Sequence, residues 1–160
     1  MSKFIIKEAK IKDLDTIFKL IKELALYEKM DKDFVATKKD YEKNIFENQY
    51  AKILILEFEK NIIGYAIYFF TFSSFLGSGG IWLEDLYIKQ EFRRKGFGKE
   101  VFKYIAKKCE ENNLKRLEWV CLNDNDIGIN FYESLKAQNM NIKWKTYRLD
   151  EANLKKLINE

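Results

Sequence analysis

The chain has 160 residues, which suits a single compact domain over residues 1–160, and 47% of them are apolar, enough for a sizeable core. Its 29 basic and 25 acidic residues give a net charge of only +4. Basic and acidic side chains alternate, so the basic stripe typical of nucleic-acid binders is missing and we expect no nucleic-acid partner. The absence of histidine excludes His-based catalytic triads and His-ligated metal sites.

The two cysteines predict a reducing compartment. Cys109 and Cys121 do not form a C-x-x-C pair, and no signal peptide is recognised. The longest apolar stretch, near residues 62–72, is too short to span a membrane. We therefore expect a cytoplasmic protein with no membrane association and no metal.

The first half of the sequence predicts two helices between strands. A short strand begins at Phe4–Ile6, and apolar residues at helical spacing predict a helix over residues 11–30. A weaker helix is expected over 37–46. Apolar, β-branched residues predict a hairpin with strands at 51–59 and 62–72 around a turn at Glu59–Asn61.

The second half alternates strands with helices. We expect a strand at 81–89, a basic turn at 90–95, a helix at 96–113, a strand at 115–122, a helix at 126–136, a strand at 142–149 and a terminal helix at 151–158. No linker or repeat interrupts this order. The prediction is an α/β domain with a mixed, mostly antiparallel sheet flanked by helices.

The turn from Arg93 to Lys99 has the features of an anion site. A strand runs into Arg93-Arg-Lys-Gly96-Phe-Gly98, and a helix follows. The first N–H groups of a helix lack internal partners, and the helix dipole adds positive charge there, so phosphate binds well. Glycines permit close backbone approach. Arg93, Arg94, Lys95 and Lys99 add charge.

Three other interpretations of the turn from Arg93 to Lys99 are a helix-capping surface turn, a dinucleotide-binding fingerprint and a Walker loop. A basic surface turn that only caps a helix remains an alternative for R-x-x-G-x-G alone. The dinucleotide fingerprint is excluded because its third glycine and a following βαβ unit are missing. A Walker loop needs G-K-[ST], which is absent.

The motif and the element order resemble the GNAT acetyltransferases, and more closely their diamine (spermidine/spermine) and thialysine N-acetyltransferases. The matching segments are distributed along most of the chain: Leu20–Glu28, Ile67–Thr71, Leu83–Ile88, Arg93–Gly98 and Asn130–Tyr132. The resemblance implies the GNAT fold, acetyl-CoA as the cosubstrate, a primary amine as the acceptor and a homodimeric assembly.

The resemblance also implies which residues hold acetyl-CoA. The backbone of Leu86, Tyr87 and Ile88 would pair with the pantetheine arm. The pyrophosphate would lie on the turn, formed by Arg93, Arg94, Lys95, Gly96, Phe97, Gly98 and Lys99. The other side of the cofactor would be lined by Asn125, Asp126, Ile127 and Gly128, at the start of the next helix.

Two catalytic roles follow from the resemblance. Tyr132 matches the tyrosine near the acetyl-CoA sulfur, where a phenol can protonate the departing thiolate. The alternative is that Tyr132 is a core residue, because it lies on an apolar stripe of its helix. Glu84 matches the proposed base, because a primary amine with a pKa of about 10.4 must lose a proton before it attacks. A structural carboxylate paired with a lysine is the alternative for Glu84.

The acceptor side is assigned to Tyr27, Glu28, Ser73, Glu84 and Asp85. Glu84 and Asp85 are adjacent on a strand, so we expect them to point to opposite sides. Polyamine-specific members carry acids where this chain has Ser73 and, with a one-residue insertion, near Lys145. Because these two acids are missing, a smaller amine or an amino acid is a better acceptor than spermine. The family's helix-ending glycine is replaced by Lys136.

The sequence also allows three alternatives to small-amine acetylation. A protein lysine or N-terminus could be the acceptor, which predicts an open groove. The chain could be a CoA- or nucleotide-sensing module without turnover. Nucleic-acid binding is the weakest of the three.

Overall fold

The computed structural model describes residues 3–159, so the two ends of the predicted domain at residues 1, 2 and 160 lie outside the described residues. The chain divides into two compact units, Met1–Val120 and Cys121–Glu160. The strands are β1 (Phe4–Glu8), β2 (Lys52–Phe58), β3 (Asn61–Ser73), β4 (Ser78–Ile88) and β5 (Leu117–Glu118). The helices are α1 (Leu14–Tyr27), α2 (Lys38–Tyr41), α3 (Phe97–Glu111), α4 (Asp126–Ser134) and α5 (Glu151–Ile158).

The first unit contains a five-stranded sheet in the order β1-β2-β3-β4-β5. The first three pairings are antiparallel and the last is parallel, which confirms the predicted mixed sheet. The hairpin turn is also confirmed: Glu59 and Lys60 have φ of 49° and 66°, as a two-residue turn of the I′ type requires. Gly64 lets β3 approach β4, because a Cβ there would lie 2.2 Å from the Tyr87 carbonyl oxygen.

Helices cover the two faces of this sheet. One face packs against α1 in a buried cluster of Ile17, Leu20, Ile21, Ile53, Ile55, Tyr65, Ile67 and Tyr87. Alternate strand residues point the other way, where α3 buries Val101, Phe102 and Ile105. Lys108 of α3 lies 5.9 Å from the Tyr68 ring centroid on that face. Each buried large apolar side chain stabilises the fold by about 1.5–3 kcal/mol.

The predicted helix over residues 37–46 has an unusual form. It is a short α-helix, α2, that continues as a π-helix over Glu42–Glu47. Thr37 caps its start, since its side chain accepts a hydrogen bond from the Asp40 amide. None of the helices in the described part of the chain is long and apolar enough to cross a membrane.

Two predicted strands differ from the structure. The strand expected at 115–122 is reduced to Leu117–Glu118, because β4 pairs with it only at Ile81 and Trp82. The strand expected at 142–149 is wrong. A 3-10 turn covers Met140–Ile142, and residues 144–149 have no regular structure. A strand needs a hydrogen-bonded neighbour, and the described residues supply none for this segment.

Helix α4 ends in a strained residue, which gives a stability prediction. Lys136 has φ of 64° where the family pattern has glycine. The left-handed conformation costs an L-residue about 1 kcal/mol, so Lys136→Gly should raise the free energy of unfolding by roughly that amount. Urea denaturation measures it. Lys136→Ala is the matched control, and an equal gain from alanine would contradict the explanation.

Candidate active site

The outer edge of β4 is only partly paired. Pairing with β5 covers Ile81 and Trp82, and no other described strand of the first unit pairs with this edge beyond them. Within the first unit, the backbone groups from Leu83 to Ile88 therefore have no strand partner on this side, although the Ile88 carbonyl accepts a hydrogen bond from Arg93. This stretch contains Leu86, Tyr87 and Ile88, the residues assigned to the pantetheine arm. An arm that carries amide groups fits such an edge, since it can extend the backbone ladder.

The following turn has the geometry of an anion site. Gly96 precedes α3 with φ of 84°, and the space where its Cβ would lie is empty within 4 Å. Helix α3 is 15 residues long, so its first N–H groups carry the dipole of a full helix. The side chains of Arg94, Lys95 and Lys99 around it are exposed. These features fit a pyrophosphate group.

Several residues assigned to the cofactor have side chains engaged in the protein itself, among them Phe97 and Tyr87. The Phe97 ring stacks on Phe4 at 4.5 Å and lies in the core, so Phe97 can offer only its backbone. The Tyr87 hydroxyl donates a 2.9 Å hydrogen bond to Glu23 of α1. Burial, together with this bond to the Glu23 carboxylate, raises the pKa of Tyr87 to about 12.

Arg93 connects the turn with the end of α1. Its Nε donates a 2.7 Å hydrogen bond to the Ile88 carbonyl oxygen. Its guanidinium lies 4.2 Å from the Tyr27 ring centroid and 5.4 Å from that of Tyr87. The side chain thus fixes the end of β4 against the end of the helix that carries Tyr27 and Glu28.

This arrangement predicts different roles for the two neighbouring arginines. Arg93→Ala removes a charged hydrogen bond and a cation–π contact, so we expect it to lower the free energy of unfolding by about 2 kcal/mol. Arg94→Ala, at an exposed side chain, should change it by less than about 0.5 kcal/mol. Urea denaturation of both variants tests this. Equal losses would show that Arg93 does not brace the turn.

The acceptor-side acids lie at an irregularity in the sheet. The register between β3 and β4 shifts at this point: Ile67 pairs with Asp85, and Tyr68 pairs with Leu83. Glu84 is the extra residue of this β-bulge. Its exposed carboxylate accepts a 2.9 Å hydrogen bond from the Trp82 indole. Trp82 pairs with Phe69, which lies two residues from Ile67 on β3 and therefore on the same side of the sheet as Ile67.

The expectation that Glu84 and Asp85 point to opposite sides is therefore wrong. Asp85 shares the α1 face with its partner Ile67, which belongs to the cluster under α1. Strict alternation fails because the bulge inserts a residue between two paired positions. The negative charge of Glu84 consequently acts on Asp85.

Asp85 has a distinct electrostatic environment. Burial raises its pKa to about 6; the hydrogen bond from Tyr65 opposes this rise, and the charges of Glu84 and Glu28 add to it. Burial also raises the pKa of Glu28. Carboxylates that are costly to ionise without a partner form a site that a cation stabilises.

Two tyrosines near these acids were missed by the sequence analysis. Tyr65 donates a 3.1 Å hydrogen bond from its hydroxyl to Asp85. Tyr41 is close enough for Asp85 to affect it: burial, then the charges of Asp85 and Asp40, raise its pKa to about 12. For Tyr65 the available signal was a tyrosine within an apolar strand, because a buried hydroxyl needs a polar partner.

The other acceptor-side residues occupy different surroundings. Tyr27 is 46% exposed at the end of α1, with Arg93 against its ring. Glu28 follows it as the C-cap residue and is half-buried. Ser73 is buried at the end of β3, where its hydroxyl accepts a hydrogen bond from the Leu76 amide at 3.3 Å. This contact supports the β3–β4 turn.

The second unit holds the remaining assigned residues. Asn125 caps α4, since its side-chain oxygen accepts a 3.0 Å hydrogen bond from the Gly128 amide. Asp126 and Ile127 are exposed in the first turn. Tyr132 is half-buried in the same helix, with its ring 5.5 Å from that of Phe131. Lys145 is exposed.

Comparison with known proteins gives consistent matches. A model of the acetyltransferase (GNAT) family matches residues 14–136. The thialysine N-epsilon-acetyltransferase of Caenorhabditis elegans is 30% identical over 148 residues, which cover 91% of each chain. The L-ornithine N5-acetyltransferase of Arabidopsis thaliana is 35% identical over 88 residues, 55% of this chain and 38% of that protein.

Solved structures agree with the fold. An integron cassette protein from the mobile metagenome of V. cholerae superposes with a TM-score of 0.80 at 26% identity, over 98% of both chains. A ribosomal-protein-alanine N-acetyltransferase from Brucella melitensis has a TM-score of 0.73 at 18% identity, over 92% of this chain and 99% of that one. The predicted mixed-sheet fold is thereby confirmed.

Proposed function

The chain belongs to the GNAT family of acetyltransferases, and we propose that it transfers the acetyl group of acetyl-CoA to a primary amine of a compact cationic acceptor. The observation that carries the proposal is the group of carboxylates formed by Glu28 at the end of α1 and by Glu84 and Asp85 on β4. Asp85 and Glu28 both have raised pKa values because burial disfavours their charge, and Glu84 adds to the effect on Asp85. A bound ammonium group would offset these charges.

Acetyl-CoA supplies the activated acetyl group, and this chain's residues bind it. The proposed contacts are the open backbone edge at Leu86–Ile88 for the pantetheine arm and the α3 start for the pyrophosphate. Gly96 and Gly98 give access to the amides, while Arg94, Lys95 and Lys99 attract the anion. For the other side of the cofactor we propose the start of α4, from Asn125 to Gly128, on the family resemblance.

The amine must lose a proton before it attacks the thioester. A primary amine has a pKa of about 10.4 and reaches the enzyme as a cation. We propose that Asp85 and Glu28 hold this cation and that Glu84 accepts the proton directly or through water. The resemblance of Asn130–Tyr132 to the family's N-F-Y helix supports Tyr132 as the acid that protonates the departing thiolate.

The relatives narrow the class of acceptor. Their names specify thialysine and L-ornithine, two amino acids with a side-chain amine. This chain has Ser73 and Lys145 where polyamine-specific members carry acids, so it offers fewer negative charges to a long polycation. We propose that the acceptor is a lysine-like amino acid or a short diamine in preference to spermine.

The test is release of the CoA thiol from acetyl-CoA across a panel of amines: thialysine, lysine, ornithine, putrescine, spermidine and a lysine peptide. We expect the amino acids or putrescine to give the highest kcat/KM. A preference for the peptide would instead favour protein acetylation. If no amine releases thiol, while acetyl-CoA still raises the melting temperature by binding, the chain would be a CoA-binding module.

We also propose that the protein acts in the cytoplasm as a homodimer. The assembly is supported by the resemblance to the diamine and thialysine acetyltransferases. Light scattering after size-exclusion chromatography measures the mass in solution, and a monomer at all concentrations would contradict the dimer.

A further inference from the structure

Tyr65 lies among the apolar residues of the face that α1 covers, yet its hydroxyl forms a hydrogen bond with the Asp85 carboxylate. The residue is 0% exposed and belongs to the apolar cluster under α1. Its hydroxyl donates to Asp85 Oδ2 at 3.1 Å. Burial and the nearby Asp85 carboxylate raise the pKa of Tyr65 well above its ordinary value, so the phenol stays protonated and remains a donor.

The other groups that face Asp85 do not favour its charge. Glu84 on the same strand and Glu28 at the end of α1 both raise its pKa, as burial does. Burial, and then the charge of the same Asp85 carboxylate, raises the pKa of Tyr41, the last residue of α2. Among these influences the hydrogen bond from Tyr65 is the one that lowers the pKa of Asp85. A donor to a carboxylate both stabilises its ionised form and fixes its orientation.

We propose that Tyr65 is a positioning residue for the acceptor amine, because its hydroxyl holds Asp85 as an oriented carboxylate before the amine arrives. The inference rests on the proposed function, since Asp85 acts there as the partner of the ammonium group. Tyr65 itself does not touch the reacting atoms. It acts through the ionisation state and the direction of a neighbouring side chain, which a purely structural core residue would not change.

The test compares Tyr65→Phe with Tyr68→Phe. Tyr68 is an equally buried tyrosine of the same strand, but its hydroxyl lies on the α3 face near Glu8, at 3.5 Å. The assay is kcat/KM for the best acceptor between pH 5 and 9. In Tyr65→Phe the acidic limb of the pH profile of kcat/KM should move up by about one pH unit. Relative to the wild type, kcat/KM should then be about fivefold lower at pH 6 and nearly unchanged at pH 8.5.

Two further readouts separate positioning from packing. The KM for the amine should rise at pH 6 while kcat at saturating amine changes little. Carbon-13 NMR should show the Asp85 carboxyl, assigned with Asp85→Asn, titrating about one pH unit higher in Tyr65→Phe only. Tyr68→Phe should leave both profiles as in the wild type.

The outcomes distinguish this inference from the proposed function. An unchanged Asp85 titration and an unmoved acidic limb in folded Tyr65→Phe would overturn it, even if amines are acetylated normally. An equal shift in Tyr68→Phe would overturn it too. If the wild type acetylates no amine, the proposed function fails, and the NMR titration still decides whether Tyr65 holds the carboxylate.

Discussion

Replacing Asp85 by asparagine should lower kcat/KM for the acceptor amine by about 100-fold or more, because removal of one partner of a buried charge pair costs 2–5 kcal/mol. Asparagine keeps the size of the side chain and can still accept the hydrogen bond from Tyr65. The KM for acetyl-CoA should stay unchanged, since Asp85 lies on the α1 face and not in the phosphate turn. Steady-state kinetics with each substrate varied in turn measures both effects.

The same substitution should make the protein more stable at neutral pH. Burial holds the pKa of Asp85 at about 6 instead of 3.8, so the folded state binds this proton more tightly than the unfolded state does. The wild type therefore loses stability from this group as pH rises from about 4 to about 6. Asp85→Asn avoids the loss, which amounts to roughly 2–3 kcal/mol above pH 6 and disappears below pH 4.

Asp15→Asn is the matched control. Asp15 is an exposed carboxylate of α1 paired with Lys38, and it belongs to no proposed site. Asp15→Asn should neither lower kcat/KM for the amine nor raise the stability at neutral pH. An Asp85→Asn variant with full activity, or one less stable than the wild type at pH 7.5, would show that the carboxylate is structural.

Tyr132→Phe should lower kcat about 100-fold, the low end of what a general acid contributes. The KM for acetyl-CoA should change little, since the phenol acts on the departing thiolate. The deficit should shrink above about pH 8.5, because an ordinary thiol leaves there without needing a proton. A pH series of kcat for wild type and variant measures this.

Tyr147→Phe provides the control for this substitution. Tyr147 also lies in the second unit and is 86% exposed. It should retain wild-type kcat at every pH. A Tyr132→Phe enzyme with normal kcat, or with the same fractional loss from pH 6 to 9.5, would argue that Tyr132 is a packing residue.

Local patterns were enough to predict most of the first unit. Helical spacing of apolar residues located α1, and the turn at Glu59–Asn61 located the hairpin, since both signals depend on residues close in sequence. The turn from Arg93 to Gly98 was recognisable for the same reason. What that pattern could not show is the direction of the Arg93 side chain, which depends on Tyr27, far away in sequence.

Features that depend on distant partners escaped the sequence analysis. A strand was predicted over residues 142–149, but a strand requires a hydrogen-bonded neighbour that the local pattern cannot supply. The bulge at Glu84 was hidden because period-two alternation assumes an unbroken register. The contact of Tyr65 with Asp85 follows from that register and was equally invisible.

Transfer of a labelled acetyl group tests the central claim most directly. Acetyl-CoA carrying carbon-13 in its acetyl group would be incubated with the enzyme and the best amine of the panel, and the products analysed by mass spectrometry and NMR. We expect the label in an amide on the primary amine, in equal amount to the free CoA thiol. Labelled free acetate beside an unmodified amine, or no release of CoA with any amine, would contradict the account.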